Sequence, residues 1–206
     1  MKDIILASAS PDRKNLLSWL NIPFDIIVSG FDEESIVIDD PEELAATLAT
    51  QKARKVANQV SRGVIIGSDT VIYIDGEFVA KPDDIDDARR ILKKLRGKTH
   101  QVFTGVAIIS ADTSDTRVEV EETKVTFYDF TDEQLEEYLK TGEPMNKAGA
   151  YQLLGQANSF VEDIVGSTTN VTGLPLRLTA DLLEEMGIPV DVDIESVVME
   201  NTGFKD

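Results

Sequence analysis

The chain has 206 residues, 42% of them hydrophobic, with no cysteine, one histidine and a formal charge of −18. That length is enough for one domain with a sizeable core; the missing cysteines exclude a disulfide framework, a thiolate zinc site and a cysteine nucleophile, and the lone His100 excludes a histidine-rich metal centre, leaving oxygen to hold any metal. The acidity excludes the broad basic surface that a nucleic acid polymer requires, whereas a few lysines and arginines gathered in a cleft still suffice for a small phosphorylated ligand.

In chain order, Ile4-Ile5-Leu6-Ala7 predicts a buried strand that enters the tight loop Ser8-Ala9-Ser10-Pro11, and Leu16, Leu17 and Leu20 then recur at helical spacing. Phe24 to Val28 reads as a second short strand, followed by the acidic loop Phe31-Asp32-Glu33-Glu34-Ser35. A helix is expected from Pro41, a first-turn proline, to about Val60. Val64 to Ile74 is strongly β-branched, and Asp75-Gly76 before Glu77-Phe78-Val79-Ala80 predicts a hairpin. Asp84 to Leu95 is an amphipathic helix stopped near Gly97. Longer strands follow over about Gln101 to Ser110 and Arg117 to Phe130, with a polar turn between Asp112 and Asp115. Thr131 and Gln134 have capping-box spacing, which places a helix over Asp132 to Lys140. The remainder reads as a Gly-rich loop near Lys147 to Gly149, a strand near Phe160 to Val165, a helix from Pro175 to Met186 and an acidic tail from about residue 190. This mixture predicts one α/β (mixed α+β) domain over residues 1–206 around a mixed sheet, with the strand order open. No run approaches the roughly 20 apolar residues of a membrane span and the N-terminus lacks a signal-peptide layout, so a cytoplasmic protein with no membrane partner is expected.

Several positions ask for chemistry. Ser8, Ser10 and Arg13 lie where a helix start offers free N–H groups to an anion, although the commoner use of such a Ser10 is as an ordinary N-cap before Pro11. Lys52 falls inside the apolar arc of Leu44, Ala45, Leu48, Ala49 and Val56, where an ammonium must snorkel outward or meet an anion. Asp69 sits within Val64-Ile65-Ile66-Gly67-Ser68-Asp69-Thr70-Val71-Ile72, and a carboxylate in a buried strand needs a partner; the alternative is a strand break at Gly67-Ser68. A three-residue hairpin loop sets Lys81 opposite Asp69, whereas a two-residue loop sets it opposite Thr70. Glu33 reads as a solvated loop acid, the acidic stretch Asp83 to Asp87 as helix N-terminal charge bias, and His100 as a packed or surface residue.

The ordered set Leu6-Ala7-Ser8-Ala9-Ser10-Pro11 with Arg13, Lys52-Ala53, Gly67-Ser68-Asp69-Thr70-Val71, Lys81-Pro82, Gly97-Lys98-Thr99-His100, Thr104-Gly105-Val106, Lys147-Ala148-Gly149-Ala150-Tyr151 and Asn170-Val171 with Gly173-Leu174-Pro175-Leu176 resembles the Maf family. It runs from residue 6 to about residue 187. The resemblance implies a long twisted mixed sheet flanked by helices, two lobes with a central cleft, and kinship with the inosine triphosphate pyrophosphatase fold. It also implies hydrolysis of a nucleoside triphosphate to monophosphate and pyrophosphate with Mg²⁺ or Mn²⁺, in a homodimer. Catalytic roles are carried to Glu33, Lys52, Asp69 and Lys81, metal binding to Glu33 and Asp69, and substrate contacts to Ser8, Ser10, Arg13, Thr70 and Gln152. Asp12 stands where the family commonly has a first arginine, and Leu153-Leu154-Gly155 where the dTTP and UTP branch has Ile-Gln-Gly, while Lys147 to Tyr151 looks closer to that pyrimidine branch. The mechanism expected from these residues is in-line attack on the α-phosphorus by a water that Asp69, or a metal-bound hydroxide beside it, activates, with Arg13, Lys52 and Lys81 on the leaving pyrophosphate. The rival expectation is a nucleotide-binding regulator of septum formation that keeps the cations and dispenses with hydrolysis.

Overall fold

The structure is a computed structural model that describes residues 3–204. One seven-stranded mixed sheet organises it. Strand β1 (Ile4–Leu6) is buried along its whole length and lies between two parallel neighbours, β2 (Asp25–Ile26) and β3 (Val64–Ile74). From β3 outward the sheet is antiparallel through β5 (Thr99–Ser110), β6 (Thr116–Phe127) and β7 (Val161–Val165), and β4 (Glu77–Val79) folds back on β3. The β3–β4 turn is the two-residue form: Ile74 pairs with Glu77, and Asp75 and Gly76 both take positive φ.

Seven α-helices are described: α1 (Pro11–Ser18), α2 (Pro41–Ala57), α3 (Ile85–Leu95), α4 (Asp132–Lys140), α5 (Thr168–Thr172), α6 (Leu176–Glu185) and α7 (Ile194–Thr202). Their starts follow local chemistry. Ser10, Asp40, Asp84, Thr131, Ser167 and Asp193 each cap a helix with a side-chain oxygen, and Thr131 with Gln134 closes the reciprocal capping box. The acidic stretch after about residue 190, expected as a tail, instead carries α7. Ile194 and Val198 are buried there against the α6 core, so its acids mark the polar face of an amphipathic helix. The second strand is also shorter than expected, pairing only over Asp25 and Ile26.

The two faces of β3 explain where a cleft can form. On one face, Val64 and Ile66 join a core with β1, α1, α6 and α7, while Ile72 and Ile74 join another with α3, α4 and the 148–160 segment. Between these cores Ser68, Thr70 and Thr104 form a polar band: Thr70 and Thr104 share a 2.9 Å hydrogen bond, and the Ser68 hydroxyl donates to the Gly173 carbonyl at 2.8 Å. On the opposite face lies α2. It approaches closely because Gly67 and Gly105 carry no side chain: a Cβ at either would stand 2.3 Å from a carbonyl oxygen of α2, that of Ala49 or of Ala45. Strand β1 covers β3 only as far as Ile66, and β4 begins only at Ile72, so residues 67–71 face an unfilled gap in the sheet at the carboxyl end of β1. Open sheets place their ligand crevices at such positions.

Candidate active site

Asp69 stands in that gap, and the strand through it is unbroken. Gly105 is its cross-strand partner, so the side chain points to the α2 face without a neighbour opposite. Burial leaves Asp69 only 5% exposed. Its partner is Lys52 of α2, itself 8% exposed, whose ammonium donates to Asp69 Oδ1. The same Nζ lies 2.7 Å from Glu33 Oε1. Glu33 opens a 3₁₀ turn (Glu33–Ser35) and is half-exposed. Partial burial pushes its carboxyl upward, but the Lys52 hydrogen bond and charge, with Lys81 and Arg13 further off, hold it below the ordinary glutamate value. Lys52 therefore answers its apolar-arc position by meeting anions.

The hairpin leaves Lys81 beyond the paired segment of β4, so it is not the across-strand partner of Asp69 that a three-residue loop would have made it. It reaches the same cleft from the chain that leaves β4. Ser10 caps α1 through the Arg13 N–H at 3.3 Å, and Ser8 accepts from the Ser10 N–H at 3.1 Å. Arg13 itself donates to the Gly173 carbonyl at 2.8 Å and to Thr70 at 3.2 Å, fastening the first helix to the polar band. These residues, with Asp12, Lys147, Tyr151 and Gln152, line one cleft of about 740 Å³, within the range of small-molecule sites. Two carboxylates on one cation position, open to a cleft that admits phosphate oxygens, fit a hard divalent ion held by one or two acids plus substrate. No larger acidic or histidine cluster suited to an all-protein metal cage occurs among the described residues.

The sequence model described as "Maf-like protein" matches residues 3–186. The chain belongs to the Maf family. Among curated Maf relatives, a dTTP/UTP pyrophosphatase of Symbiobacterium thermophilum is 42% identical over 190 residues, covering 92% of this chain and 97% of that one. One of Ruminiclostridium cellulolyticum is 42% identical over 187 residues, and one of Alkaliphilus metalliredigens 44% over 186, each covering 90% of this chain and 97% and 96% of the relative. Among solved structures, the Staphylococcus aureus Ham1 protein aligns with 62% of this chain and 73% of its own at 17% identity and a TM-score of 0.44, a likeness too distant to carry an argument.

Within this Maf fold Ser8, Ser10, Arg13, Glu33, Lys52, Asp69, Thr70, Lys81 and Gln152 all line this cleft. His100 does not. It is 1% exposed, hydrogen-bonded to the Tyr151 hydroxyl at 2.9 Å, and burial pulls its pKa down to about 4, so it is a neutral core residue. Two residues whose cleft roles were not singled out also line the site. Asp12, which stands where the family commonly has an arginine, accepts a hydrogen bond from Lys147 of the Gly-rich loop. The pairing spans 135 residues, so no local pattern announces it.

Proposed function

We propose that this protein hydrolyses pyrimidine nucleoside triphosphates, dTTP and UTP or their modified forms, between the α- and β-phosphates, releasing monophosphate and pyrophosphate. The observation that carries the reading is the buried Lys52 ammonium joined to both Asp69 and Glu33 at the gap in the sheet, with Arg13 and Lys81 in the same cleft. A polyanion needs the cations. A buried aspartate beside a second carboxylate serves hydrolysis better than it serves simple anion binding, which it opposes.

In this reading Asp69 accepts a proton from a water as the water oxygen bonds to the α-phosphorus and the bond from that phosphorus to the bridging oxygen breaks. Lys52 keeps Asp69 oriented, while Arg13 and Lys81 meet the negative charge that develops on the departing pyrophosphate. Ser8 and Ser10, at the start of α1, with Thr70, hold phosphate or sugar oxygens. Glu33 and Asp69, with phosphate oxygens, would hold a Mg²⁺ or Mn²⁺ ion, and such an ion when bound neutralises the triphosphate and draws charge from the phosphorus under attack. The same reading makes the chain one catalytic unit, a cytoplasmic homodimer without nucleic acid or membrane partners; the strong net negative charge favours the last point, and light scattering tests the dimer.

The deciding experiment is an assay of purified protein with Mg²⁺ or Mn²⁺ over a panel of nucleoside triphosphates, with pyrophosphate and monophosphate measured separately. Pyrophosphate release that disappears in Asp69→Asn, with the fold intact by circular dichroism, is the expected result. Tight nucleotide binding without turnover, or an unchanged rate in Asp69→Asn, defeats the reading.

A further inference from the structure

Arg13 enters the cleft from α1 already held on two sides. Its Nε donates to the Gly173 carbonyl at 2.8 Å and its Nη2 to the Thr70 hydroxyl at 3.2 Å. A guanidinium has five N–H donors, so three remain for a ligand. Both holdfasts lead to α5. Gly173 caps the end of that helix, and the Thr70 hydroxyl pairs at 2.9 Å with that of Thr104, its cross-strand partner on β5. The Thr104 hydroxyl lies 3.0 Å from the Asn170 carbonyl, which can only accept. A threonine has a single hydroxyl proton, and Thr104 spends it on Asn170. Thr70 is therefore the donor towards Thr104 and the acceptor towards Arg13. The chain of hydrogen bonds has one order: Arg13 to Thr70, Thr70 to Thr104, Thr104 to the Asn170 carbonyl. Its far end is tied down, because the Asn170 amide donates to the Val102 carbonyl at 3.1 Å and to the Thr123 hydroxyl at 2.8 Å, joining α5 to β5 and β6.

We infer that Thr104 is a positioning residue for the substrate phosphates: it aims Arg13 through Thr70 without touching the ligand. The inference rests on the pyrophosphatase reading for the identity of that ligand. Thr104 is 0% exposed and lies outside the lining of the cleft, whereas Thr70 and Arg13 line it. Its influence comes from the order of the protons. A Thr70 hydroxyl free to rotate could turn its proton on Arg13 and repel the guanidinium. With that proton drawn to Thr104, the Thr70 lone pairs stay on the Arg13 side. The same order limits what Thr70 does for a ligand, since its remaining lone pair can meet a sugar hydroxyl but repels a bare phosphate oxygen. Phosphate recognition here falls to the free N–H groups of Arg13, in a plane fixed by two contacts. A phosphate that meets a fork already held in place loses less side-chain freedom on binding.

The test is a double-mutant cycle on the binding of inorganic pyrophosphate, measured by calorimetry in wild type, Thr104→Val, Arg13→Met and the double variant, with melting curves to confirm folding. Thr104→Val should weaken pyrophosphate binding about five- to tenfold while Arg13 is present, and change it by less than about twofold once Arg13 is gone. Thr104→Ser, which keeps the hydroxyl, should bind as the wild type does. A lower melting temperature is expected of Thr104→Val in both backgrounds, because the Asn170 carbonyl loses its donor, and a purely structural threonine would show that much and no more. Equal effects on pyrophosphate in both backgrounds, no effect in either, or a Thr104→Ser variant that binds like Thr104→Val overturns the inference. If Thr104→Val does not fold, Thr104→Cys, similar in size and a weak donor, takes its place in the cycle. Turnover answers a separate question. Coupled pyrophosphate binding with no triphosphate hydrolysed upholds the role of Thr104 and defeats the pyrophosphatase reading; turnover without coupling leaves that reading standing and makes Thr104 structural. A wild type that binds no pyrophosphate overturns the inference, since Arg13 would then have no phosphate to be aimed at.

Discussion

Lys52 Nζ joins Asp69, buried in the middle of β3, to Glu33, half-exposed in its 3₁₀ turn, so one ammonium bridges two carboxylates 36 residues apart in sequence. Removing it strands them unequally. In Lys52→Met, Glu33 rehydrates at the surface while Asp69 stays buried without its partner, and loss of a buried pair's partner costs about 3–5 kcal/mol. Urea melts should show a loss of this order, and turnover should fall by roughly 10²–10³-fold. The double variant Lys52→Met with Asp69→Asn should recover much of the stability and none of the turnover; failure of the second change to restore stability would mean that Lys52 supports the fold by packing alone.

The close seating of α2 is a second lever on the same pair. Gly105→Ala forces a Cβ to within 2.3 Å of the Ala45 carbonyl, so α2 must lift from the sheet. Overpacking of this kind costs about 1–3 kcal/mol, and the shift carries Lys52 away from Asp69. Stability and kcat should fall together in Gly105→Ala, whereas an alanine at Gly76, where a Cβ meets nothing but φ is positive, should lower stability with kcat unchanged. A fall in kcat in the Gly76 variant of the size seen in Gly105→Ala would break this link between helix seating and chemistry.

Ser10 and Arg13 separate capping from binding. Ser10→Ala removes the α1 cap and should cost about 1 kcal/mol; a rise in KM beyond that expected from fraying would assign the hydroxyl to substrate as well. Arg13→Lys keeps the charge but cannot hold Gly173 and Thr70 from one planar group, so KM should rise several-fold with little change in melting temperature.

His100 gives the protein an acid-sensitive element in the core, outside the lining of the cleft. Burial lowers its pKa from 6.5 to about 4, so the unfolded chain takes up a proton over that interval while the folded chain resists. Stability is therefore lost as pH falls from about 6.5 towards 4, by roughly 2 kcal/mol at pH 5. In His100→Phe the decline between pH 7 and pH 5 should be shallower by that amount, a difference between paired denaturation curves that cancels the carboxylates common to both. Parallel curves would show that His100 titrates normally.

Burial made part of this site legible in the sequence. An aspartate amid β-branched residues and a lysine in an apolar helical arc each demand a partner, and both demands point to the site. Their mutual pairing was beyond the sequence, because it depends on α2 crossing β3 at Gly67 and Gly105, a contact set by tertiary packing. The hairpin offered a local partner in Lys81, and its two-residue turn withdrew it. Glu33 carried no physical signal of its own and is singled out only by the family resemblance: a loop acid acquires meaning when its turn is laid against Lys52. The tail became α7 for a related reason, since Ile194 and Val198 are too sparse to announce a helix until α6 supplies the surface they cover.

Strands β3 and β5 run unbroken from one apolar core to the other, carrying between the two the polar band of Ser68, Thr70 and Thr104. Beside the cleft this ribbon has lost its neighbour on one side, from Gly67 to Val71. Any flexing of this ribbon between its two packed ends would change the width of the cleft, and hydrogen exchange at the backbone amides of that short span, faster than at the strand's ends, is the expected sign of it.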